Sequence, residues 1–259
     1  EKTKSQFELF KKHDSFWKNE MIELKNFSDN LEIEFMSTPF DLESANFLNE
    51  IVNVFKISSS DITNKPFIEK ISRFGKPIIL STGASNINEI QAAVNWIKNS
   101  DDNKLALLHC VLNYPTDDSN ANLGVIRDLM RHFPDIQIGY SDHTLPKNMR
   151  ILEIASLFGA KIIEKHFTDD KTQVGNDHYH AMDYLDLKIF KKNFYKILES
   201  VGKNQIGYIP SEEKSRLYAR RSLVANRKIL KGSDIKLEDL TFKRPGTGIS
   251  PSKIDSVIG

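Results

Sequence analysis

Short runs of apolar, β-type residues alternate with amphipathic helical patterns through most of the chain. Polar side chains follow each run, which is typical of a parallel strand that carries functional groups at its carboxyl end. We predict six such strands, at Glu34–Thr38, Val54–Ile57, Pro77–Thr82, Leu105–Val111, Gln137–Ser141 and Lys161–Lys165. A helix is predicted after each of them, at Leu42–Asn49, Pro66–Arg73, Ile87–Lys98, Leu123–His132, Pro146–Phe158 and Leu185–Glu199. This alternation indicates βαβ units and an α/β fold with a parallel sheet.

The number of strand–helix pairs leaves two architectures open. A closed (β/α)8 barrel needs eight pairs, so the six pairs indicate either an open α/β sheet or a barrel that lacks two units at its N-terminal end. The first segment, Glu1–Asn30, has a charged, helical pattern with a loose apolar face and no strand. No glycine-rich phosphate loop of the dinucleotide-binding or P-loop type follows any predicted strand.

The pattern changes after Gly202, and we predict two domains. The first covers residues 1–202, a polar linker covers 203–216, and a small β-rich domain covers 217–259. Ser222–Ala225 and Thr241–Lys243 are the predicted strands of the small domain. A helix start at Ser250-Pro251 lies so close to Gly259 that we expect this domain to be shortened at its C-terminus.

Composition narrows the class of protein. The chain has 259 residues, and its 36 basic and 35 acidic residues leave a formal net charge of +1. This balance gives no electrostatic reason to expect nucleic acid or an anionic membrane as a partner. The single cysteine, Cys110, cannot form an internal disulfide, and no apolar run approaches the ~20 residues of a membrane span. We therefore expect a cytoplasmic protein.

Two histidines follow neighbouring predicted strands, in Ser141-Asp142-His143 and Glu164-Lys165-His166. Imidazoles at adjacent strand ends are suited to sharing one divalent ion. Since no third protein ligand is evident, water and substrate oxygens would complete the shell, as in a Lewis acid that acts on a carbonyl. The alternative is that one histidine is only a hydrogen-bonded neighbour and that no metal binds.

A second group of residues suits an anion. Lys56 interrupts an apolar strand, and a buried lysine needs an anionic partner. Hydroxyls near strand ends, at Thr38, Ser59 and Ser81, add hydrogen-bond donors, and Gly83 allows the backbone to approach closely. Helix capping explains any one of these hydroxyls better, but three hydroxyls together with a lysine favour a clamp for phosphate or carboxylate.

Further candidates lie at the next strand end and in a long loop. We interpret His109 and Cys110 as interior packing of an apolar strand. Asn113 and Tyr114 follow that strand and are placed to orient a polyol. The polar, aromatic loop 175–180 is typical of a lid. It would contribute the carboxylate of Asp177, whereas we expect its last residue, His180, to be solvated.

Six motifs together resemble the sialic acid synthases, the phosphoenolpyruvate-dependent nonulosonate synthases. They occur in the family's order: Phe35-Met-Ser-Thr-Pro-Phe-Asp41, Lys56-Ile-Ser-Ser59, Ser81-Thr-Gly83, Ser141-Asp-His143, Glu164-Lys-His166 and Arg244-Pro-Gly246. The resemblance runs from Leu31 to Gly259. It implies a TIM barrel, here without its first two strands, followed by a small β-rich, antifreeze-like SAF domain in a domain-swapped homodimer.

The resemblance also implies a reaction, in which phosphoenolpyruvate condenses with an N-acetylated sugar such as N-acetylmannosamine, with Mn²⁺ or Mg²⁺ as cofactor. His143 and His166 correspond to the metal ligands. The matching phosphoenolpyruvate contacts are Thr38, Lys56, Ser59, Ser81 and Ser141. Tyr114, Glu164 and Asp177 match positions around the sugar and the metal, and Asn113 is a further candidate for binding the sugar. Lys56, Tyr114 and Glu164 are the implied catalytic residues. Arg244 corresponds to the SAF-domain arginine that holds the N-acetyl group in the partner subunit's site.

Two departures from the family pattern keep alternatives open. The family begins with a strand that bears a Glu and a second strand that ends in Lys-Phe-Gln, and this chain contains neither. A non-catalytic remnant that dimerises or binds sugar phosphate is therefore one alternative, and another metal-dependent aldolase, which would use pyruvate, is a second. Asn113 directly precedes Tyr114, whereas sialic acid synthases commonly place the Asn two positions before the Tyr, so legionaminic or pseudaminic acid is also a possible product.

Overall fold

A parallel sheet of five strands forms the centre of the first part of the chain. The computed structural model describes residues 5, 8, 11, 16–98, 104–175, 177–203 and 205–259. The strands are β1 (Phe55–Ile57), β2 (Ile78–Ser81), β3 (Leu105–Cys110), β4 (Gln137–Asp142) and β5 (Ile163–Lys165). Each strand pairs in parallel with the next one along the chain. Five of the six predicted strands are thus confirmed to within a few residues.

Helices connect the strands, as the alternating pattern predicted. They are α1 (Lys18–Asn30), α2 (Leu42–Ile51), α3 (Lys65–Ser72), α4 (Ile87–Lys98), α5 (Gly124–His132), α6 (Arg150–Leu157) and α7 (Tyr184–Val201). Two reciprocal hydrogen bonds cap the start of α4: Asn86 Oδ1 accepts from Glu89 N, and Glu89 Oε2 accepts from Asn86 N. Since the strand order is sequential and never reverses, the sheet is a half-barrel and not a doubly wound sheet.

The core lies between the sheet and the apolar faces of the helices. Phe55, Ile57 and Leu107 on the strands and Ile68 and Ile71 on α3 are completely buried. Burial of each such side chain stabilises the fold by about 1.5–3 kcal/mol.

Close packing of the sheet also requires a glycine in β4. A Cβ added at Gly139 would lie 2.5 Å from the carbonyl oxygen of Ile162 and 2.5 Å from Leu108 Cδ2. Any larger residue at this position would push β4 away from its neighbours.

The prediction of a strand at Glu34–Thr38 was wrong. The segment is extended between α1 and α2 but pairs with no strand in the part of the chain that the structure describes, where β1 is the edge of the sheet. A strand needs a hydrogen-bonded neighbour, and the pattern of side chains cannot supply one. The apolar face predicted for the first segment is likewise not buried, since α1 contains no buried residue, while Phe7 and Phe10 lie outside the described residues.

The chain divides into two units, Glu1–Ser200 and Val201–Gly259. In the second unit, helix α8 (Glu213–Ala219) begins inside the predicted linker and precedes the antiparallel strands β6 (Ser222–Ala225) and β7 (Leu240–Lys243). Ser250 Oγ accepts a hydrogen bond from Ser252 N and caps the short helix Pro251–Ser256, as the Ser-Pro pair predicted. Among the residues that the structure describes, no helix is both long and apolar enough to cross a membrane.

Candidate active site at the carboxyl ends of the strands

A buried lysine joins the two edge strands of the half-barrel. Lys56 Nζ, from β1, donates to Ser81 Oγ at 2.8 Å and lies 3.4 Å from Glu164 Oε2 of β5. The other oxygen of Glu164 accepts from Ser141 Oγ at 2.6 Å. Lys56, Ser81 and Ser141 are buried, and Glu164 is partly exposed. The anionic partner that a buried lysine requires is therefore present within the chain.

The contact between Lys56 and Glu164 also shows that the sheet is curved. Four strand spacings of ~4.8 Å would separate β1 from β5 in a flat sheet, which is further than these two side chains span. The 3.4 Å distance between Nζ and Oε2 therefore requires the sheet to curl around its polar interior. The functional groups face the concave side of the half-barrel.

Ser59 and Gly83 form a tight backbone contact beside the lysine. Gly83 N donates to Ser59 Oγ at 2.8 Å, and Cys110 Sγ lies 3.6 Å from the same oxygen. A Cβ at Gly83 would lie 2.9 Å from Cys110 Sγ and 3.0 Å from Ser59 Oγ, so the close approach expected at this glycine is confirmed. Burial raises the pKa of the Cys110 thiol, which keeps it protonated and suits packing.

The two predicted histidines lie side by side. Their ring centroids are 5.5 Å apart, and the Tyr114 ring covers His143 at 4.0 Å and His166 at 5.8 Å. His143 Nδ1 hydrogen-bonds to the carbonyl oxygen of Val111 at 2.7 Å. Burial lowers the pKa of both imidazoles, because it disfavours the charged form. Burial also raises the pKa of Tyr114 to about 12, so its hydroxyl keeps its proton.

The predicted lid residues reach the same place. Asp177 Oδ2 lies 3.9 Å from His166 Nδ1, and Asp177 Oδ1 lies 3.3 Å from His180 Nε2. Asp177 is exposed, but His180 is fully buried, so the expectation that His180 is solvated was wrong. The loop turns this residue inward on the short helix His178–His180, which a polar composition does not reveal. His178 Nδ1 hydrogen-bonds instead to Thr168 Oγ1 at 2.8 Å.

The donor set at the two histidines fits a divalent ion with an open shell. Because burial lowers the pKa of both imidazoles, both rings are neutral at neutral pH. The neutral ring is the form that binds a metal. The bond from His143 Nδ1 to a backbone carbonyl leaves Nε2 as the metal-facing nitrogen, which is the usual arrangement of a metal-bound histidine. Within the described ranges, no group of three or more His, Cys, Asp or Glu side chains is placed to hold an ion. An ion held here would therefore be bound by the two imidazoles and would need water or substrate oxygens as its other ligands.

Three predicted residues are not brought into this cluster. Thr38 is half-buried and Asn113 is exposed, and in the described part of the chain no hydrogen bond is seen between either side chain and the lysine or histidine groups. Arg244 is exposed in the second unit, after β7, and its assignment stays a prediction. His109 is confirmed as a satisfied interior residue, because its Nε2 bonds to the carbonyl oxygen of Ala121 at 2.9 Å.

Sequence reasoning missed a buried ion pair, which is formed by the two residues that directly precede the two histidines in the sequence. Lys165 Nζ is 2.6 Å from Asp142 Oδ2 and donates to the carbonyl oxygen of Thr144 at 2.7 Å. Asp142 Oδ1 accepts from the Tyr140 hydroxyl at 2.9 Å.

The signal was present in the motifs. Ser141 pairs with Glu164 and Asp142 pairs with Lys165 in the sheet register, so Ser-Asp-His and Glu-Lys-His stand side by side, residue for residue. Side chains alternate between faces, which places the ion pair opposite the site.

A parallel half-barrel with a lysine, hydroxyls and paired imidazoles at its strand ends has the architecture of a barrel-type enzyme domain. Comparison with known proteins agrees: the model of the NeuB family matches residues 1–206, and that of the SAF domain matches residues 220–259. The chain belongs to the NeuB family. The resemblance to the sialic acid synthases is thereby confirmed.

The individual proteins that this chain resembles include named nonulosonic acid synthases. An N,N'-diacetyllegionaminic acid synthase of Campylobacter jejuni is 40% identical over 230 residues, which are 88% of this chain and 68% of that protein. An uncharacterized protein of Methanocaldococcus jannaschii is 40% identical over 253 residues, 97% of this chain and 74% of its own length. A crystal structure of N-acetylneuraminic acid synthetase from Leptospira borgpetersenii, in complex with citrate, is 36% identical with a TM-score of 0.72. That match covers 77% of this chain and 69% of the synthetase.

Proposed function

We propose that this protein is a nonulosonic acid synthase that condenses phosphoenolpyruvate with an N-acetylated aldose and releases phosphate. One observation carries the proposal. A buried lysine that donates to the hydroxyl of Ser81 lies at the same concave end of the half-barrel as a pair of neutral imidazoles. The first group suits an anionic donor, and the second suits a carbonyl acceptor. Membership of a family with named sialic, legionaminic and pseudaminic acid synthases supports the same reaction.

Phosphoenolpyruvate would bind at Lys56. Its phosphate and carboxylate need cationic and hydroxyl donors, and Lys56 Nζ, Ser81 Oγ and Ser141 Oγ are buried donors on neighbouring strand ends. Glu164 now accepts a hydrogen bond from Ser141 and forms an ion pair with Lys56. Lys56 and Ser141 each contact one oxygen of Glu164. These contacts fix the carboxylate between the proposed phosphoenolpyruvate site and the proposed sugar site.

The aldose would bind between Tyr114 and Asp177. The Tyr114 hydroxyl keeps its proton and therefore serves as a hydrogen-bond donor, while its ring packs on His143. The exposed carboxylate of Asp177 is an acceptor for sugar hydroxyls beside His166. His143 and His166 would hold Mn²⁺ or Mg²⁺, and that ion, when bound, supplies a Lewis acid for the aldehyde oxygen.

The reaction follows from this placement. The C3 carbon of phosphoenolpyruvate attacks the aldehyde carbon of the open-chain aldose, a new C–C bond forms, and the aldehyde oxygen becomes a hydroxyl. Water then adds at C2 of the enolpyruvyl unit, and phosphate leaves as the C–O bond breaks. Holding donor and acceptor at one strand edge makes the bimolecular step effectively unimolecular.

The acceptor sugar can be deduced from the product by removing the pyruvyl unit. For diacetyllegionaminic acid, the product named for the Campylobacter relative, this leaves a six-carbon aldose with two acetamido groups. For sialic acid it leaves N-acetylmannosamine. We propose an N-acetylated aldose of this kind, and the choice among them is a matter for assay.

Release of inorganic phosphate tests the proposal. The purified chain is incubated with phosphoenolpyruvate, Mn²⁺ or Mg²⁺, and each candidate sugar in turn. We expect sugar-dependent phosphate release that Lys56→Gln abolishes and that Lys147→Gln, at an exposed lysine, leaves unchanged. Pyruvate acting in place of phosphoenolpyruvate would identify an aldolase. Sugar or phosphoenolpyruvate binding without any release would identify a non-catalytic binding protein, and both results would contradict the proposal.

We further propose that the working form is a cytoplasmic, domain-swapped homodimer in which Arg244 serves the partner's site. The support is the family resemblance, because Arg244 lies in the unit that matches the SAF domain. Mixed dimers test this: Arg244→Ala and Lys56→Gln, each inactive alone, should regain activity after being unfolded and refolded together. Activity that stays absent in the mixture would contradict the swap.

A further inference from the structure

His180 carries a buried imidazole at the end of the loop 175–180. It is 0% exposed, and neither ring nitrogen has a hydrogen-bond partner among the residues that the structure describes. Leaving a buried polar group without a hydrogen bond destabilises the folded state, because the group has given up its bonds to water. Buried polar atoms in native proteins are nearly always paired, so an unpaired imidazole of this kind requires a functional or structural explanation.

The surroundings of His180 indicate its partner. Its ring lies 5.0 Å from the His166 ring and 5.9 Å from the Tyr114 ring, measured between centroids. Asp177 Oδ1 is 3.3 Å from His180 Nε2, close enough for attraction but outside hydrogen-bond geometry, and Asp177 Oδ2 is 3.9 Å from His166 Nδ1. One carboxylate thus lies between two imidazoles, one of which is fully buried.

We propose that His180 is a positioning residue that donates a hydrogen bond from Nε2 to Asp177 and so holds the carboxylate against His166 when the site is at work. Asp177 is largely exposed, and an exposed carboxylate samples several orientations. The terminal torsion of Asp is soft, so a small rotation aligns Oδ1 with the buried donor. Anchoring one oxygen leaves the other directed at His166. This inference rests on the proposed function for its catalytic consequence, but not for the contact itself.

If His180 had only a packing role, its replacement would not change the environment of His166. If His180 only filled space, Phe would fill the same place without two unsatisfied nitrogens, and no other site residue would respond. If His180 positions Asp177, then His180→Phe and Asp177→Asn must have the same effect on His166. His180→Gln keeps an N–H donor and should preserve the wild-type state.

The contact can be tested by NMR without substrate. The protein is labelled with ¹⁵N in its imidazoles, and the His166 ring signals are assigned from His166→Gln. We expect His180→Phe and Asp177→Asn to move the His166 signals in the same direction, and the double variant to add nothing further. His180→Gln should stay close to wild type, and the control His132→Gln, at an exposed histidine on α5, should leave His166 unchanged. Unchanged His166 signals in His180→Phe would overturn the inference. If His180→Phe does not fold, His180→Asn takes its place and is compared with His180→Gln, and His166 signals that are the same in both variants would overturn the inference.

Kinetics then separates this inference from the proposed function. Loss of a residue that orients a site group costs about 10- to 100-fold in activity, and we expect that loss in kcat/KM for His180→Phe, with His180→Gln retaining most of it. Wild-type turnover that His180→Phe leaves unaffected would overturn the positioning role alone. Absence of any wild-type turnover would overturn the proposed function, and the NMR result would then decide by itself whether the contact exists.

Discussion

Replacing Lys165 by Met tests the buried ion pair that Lys165 forms with Asp142. Lys165 and Asp142 side chains are 1% and 2% exposed, and their Nζ and Oδ2 atoms are 2.6 Å apart. Removing one partner of a buried pair leaves an uncompensated charge and costs about 3–5 kcal/mol. We expect the lower end of that range, because Asp142 keeps hydrogen bonds from the Tyr140 hydroxyl and from the N–H and hydroxyl of Thr144.

Two further variants isolate the cause of this loss. In Lys165→Met/Asp142→Asn the charge is gone while the amide oxygen of the new side chain still accepts hydrogen bonds, so this double variant should be more stable than Lys165→Met alone. Lys147→Met removes a matched but exposed pair, in which Nζ lies 2.9 Å from Asp118 Oδ2. Exposed pairs contribute about 0–1 kcal/mol, so this control should remain close to wild type.

Urea denaturation followed by tryptophan fluorescence measures the effect. The chain has two tryptophans, Trp17 and Trp96, and both belong to the first unit, so the signal reports the unit that contains the pair. A midpoint for Lys165→Met that equals the midpoint for Lys147→Met would refute the reasoning. So would a double variant that is less stable than Lys165→Met.

Three other variants, one of them with a matched control, test the packing and the buried histidine near the site. Gly83→Ala places a methyl group 3.0 Å from Ser59 Oγ and should cost about 1–3 kcal/mol, whereas Gly124→Ala, with open space around it, should cost nothing by the same urea assay. Leu107→Ala removes a completely buried side chain and should cost about 2–5 kcal/mol by thermal unfolding. Burial lowers the pKa of His109 below its usual 6.5, so the unfolded chain binds more protons between these two pKa values, and stability present above pH 6.5 falls as the pH drops through that window. His109→Gln should flatten this pH dependence, while a slope as steep as that of wild type would contradict it.

The alternation of apolar runs and helical patterns was enough to predict a parallel α/β sheet, whereas the choice of a barrel over an open sheet came from the family resemblance. Each run is short, mostly apolar and followed by polar residues, and those local features persist in the folded sheet. Glu34–Thr38 has the same local pattern, but whether it forms a strand depends on a partner strand, and no local pattern encodes a partner.

The candidate site was predictable where residues occupy equivalent ends of parallel strands. Lys56, Ser81 and Ser141 converge because register brings their strand ends to one edge. His180 was mispredicted because its burial depends on how the loop folds back over His166, a tertiary contact that composition does not reveal. The Asp142–Lys165 pair was missed although the register of the two motifs would have shown it.

The central claim is that this chain forms a carbon–carbon bond between phosphoenolpyruvate and an N-acetylated aldose. Mass spectrometry of the product made from uniformly ¹³C-labelled phosphoenolpyruvate tests it directly. We predict a 2-keto acid that contains all three labelled carbons joined to the intact sugar, formed by the wild-type chain and not by Lys56→Gln. Unlabelled sugar together with free labelled pyruvate, and no joined product, would contradict the account.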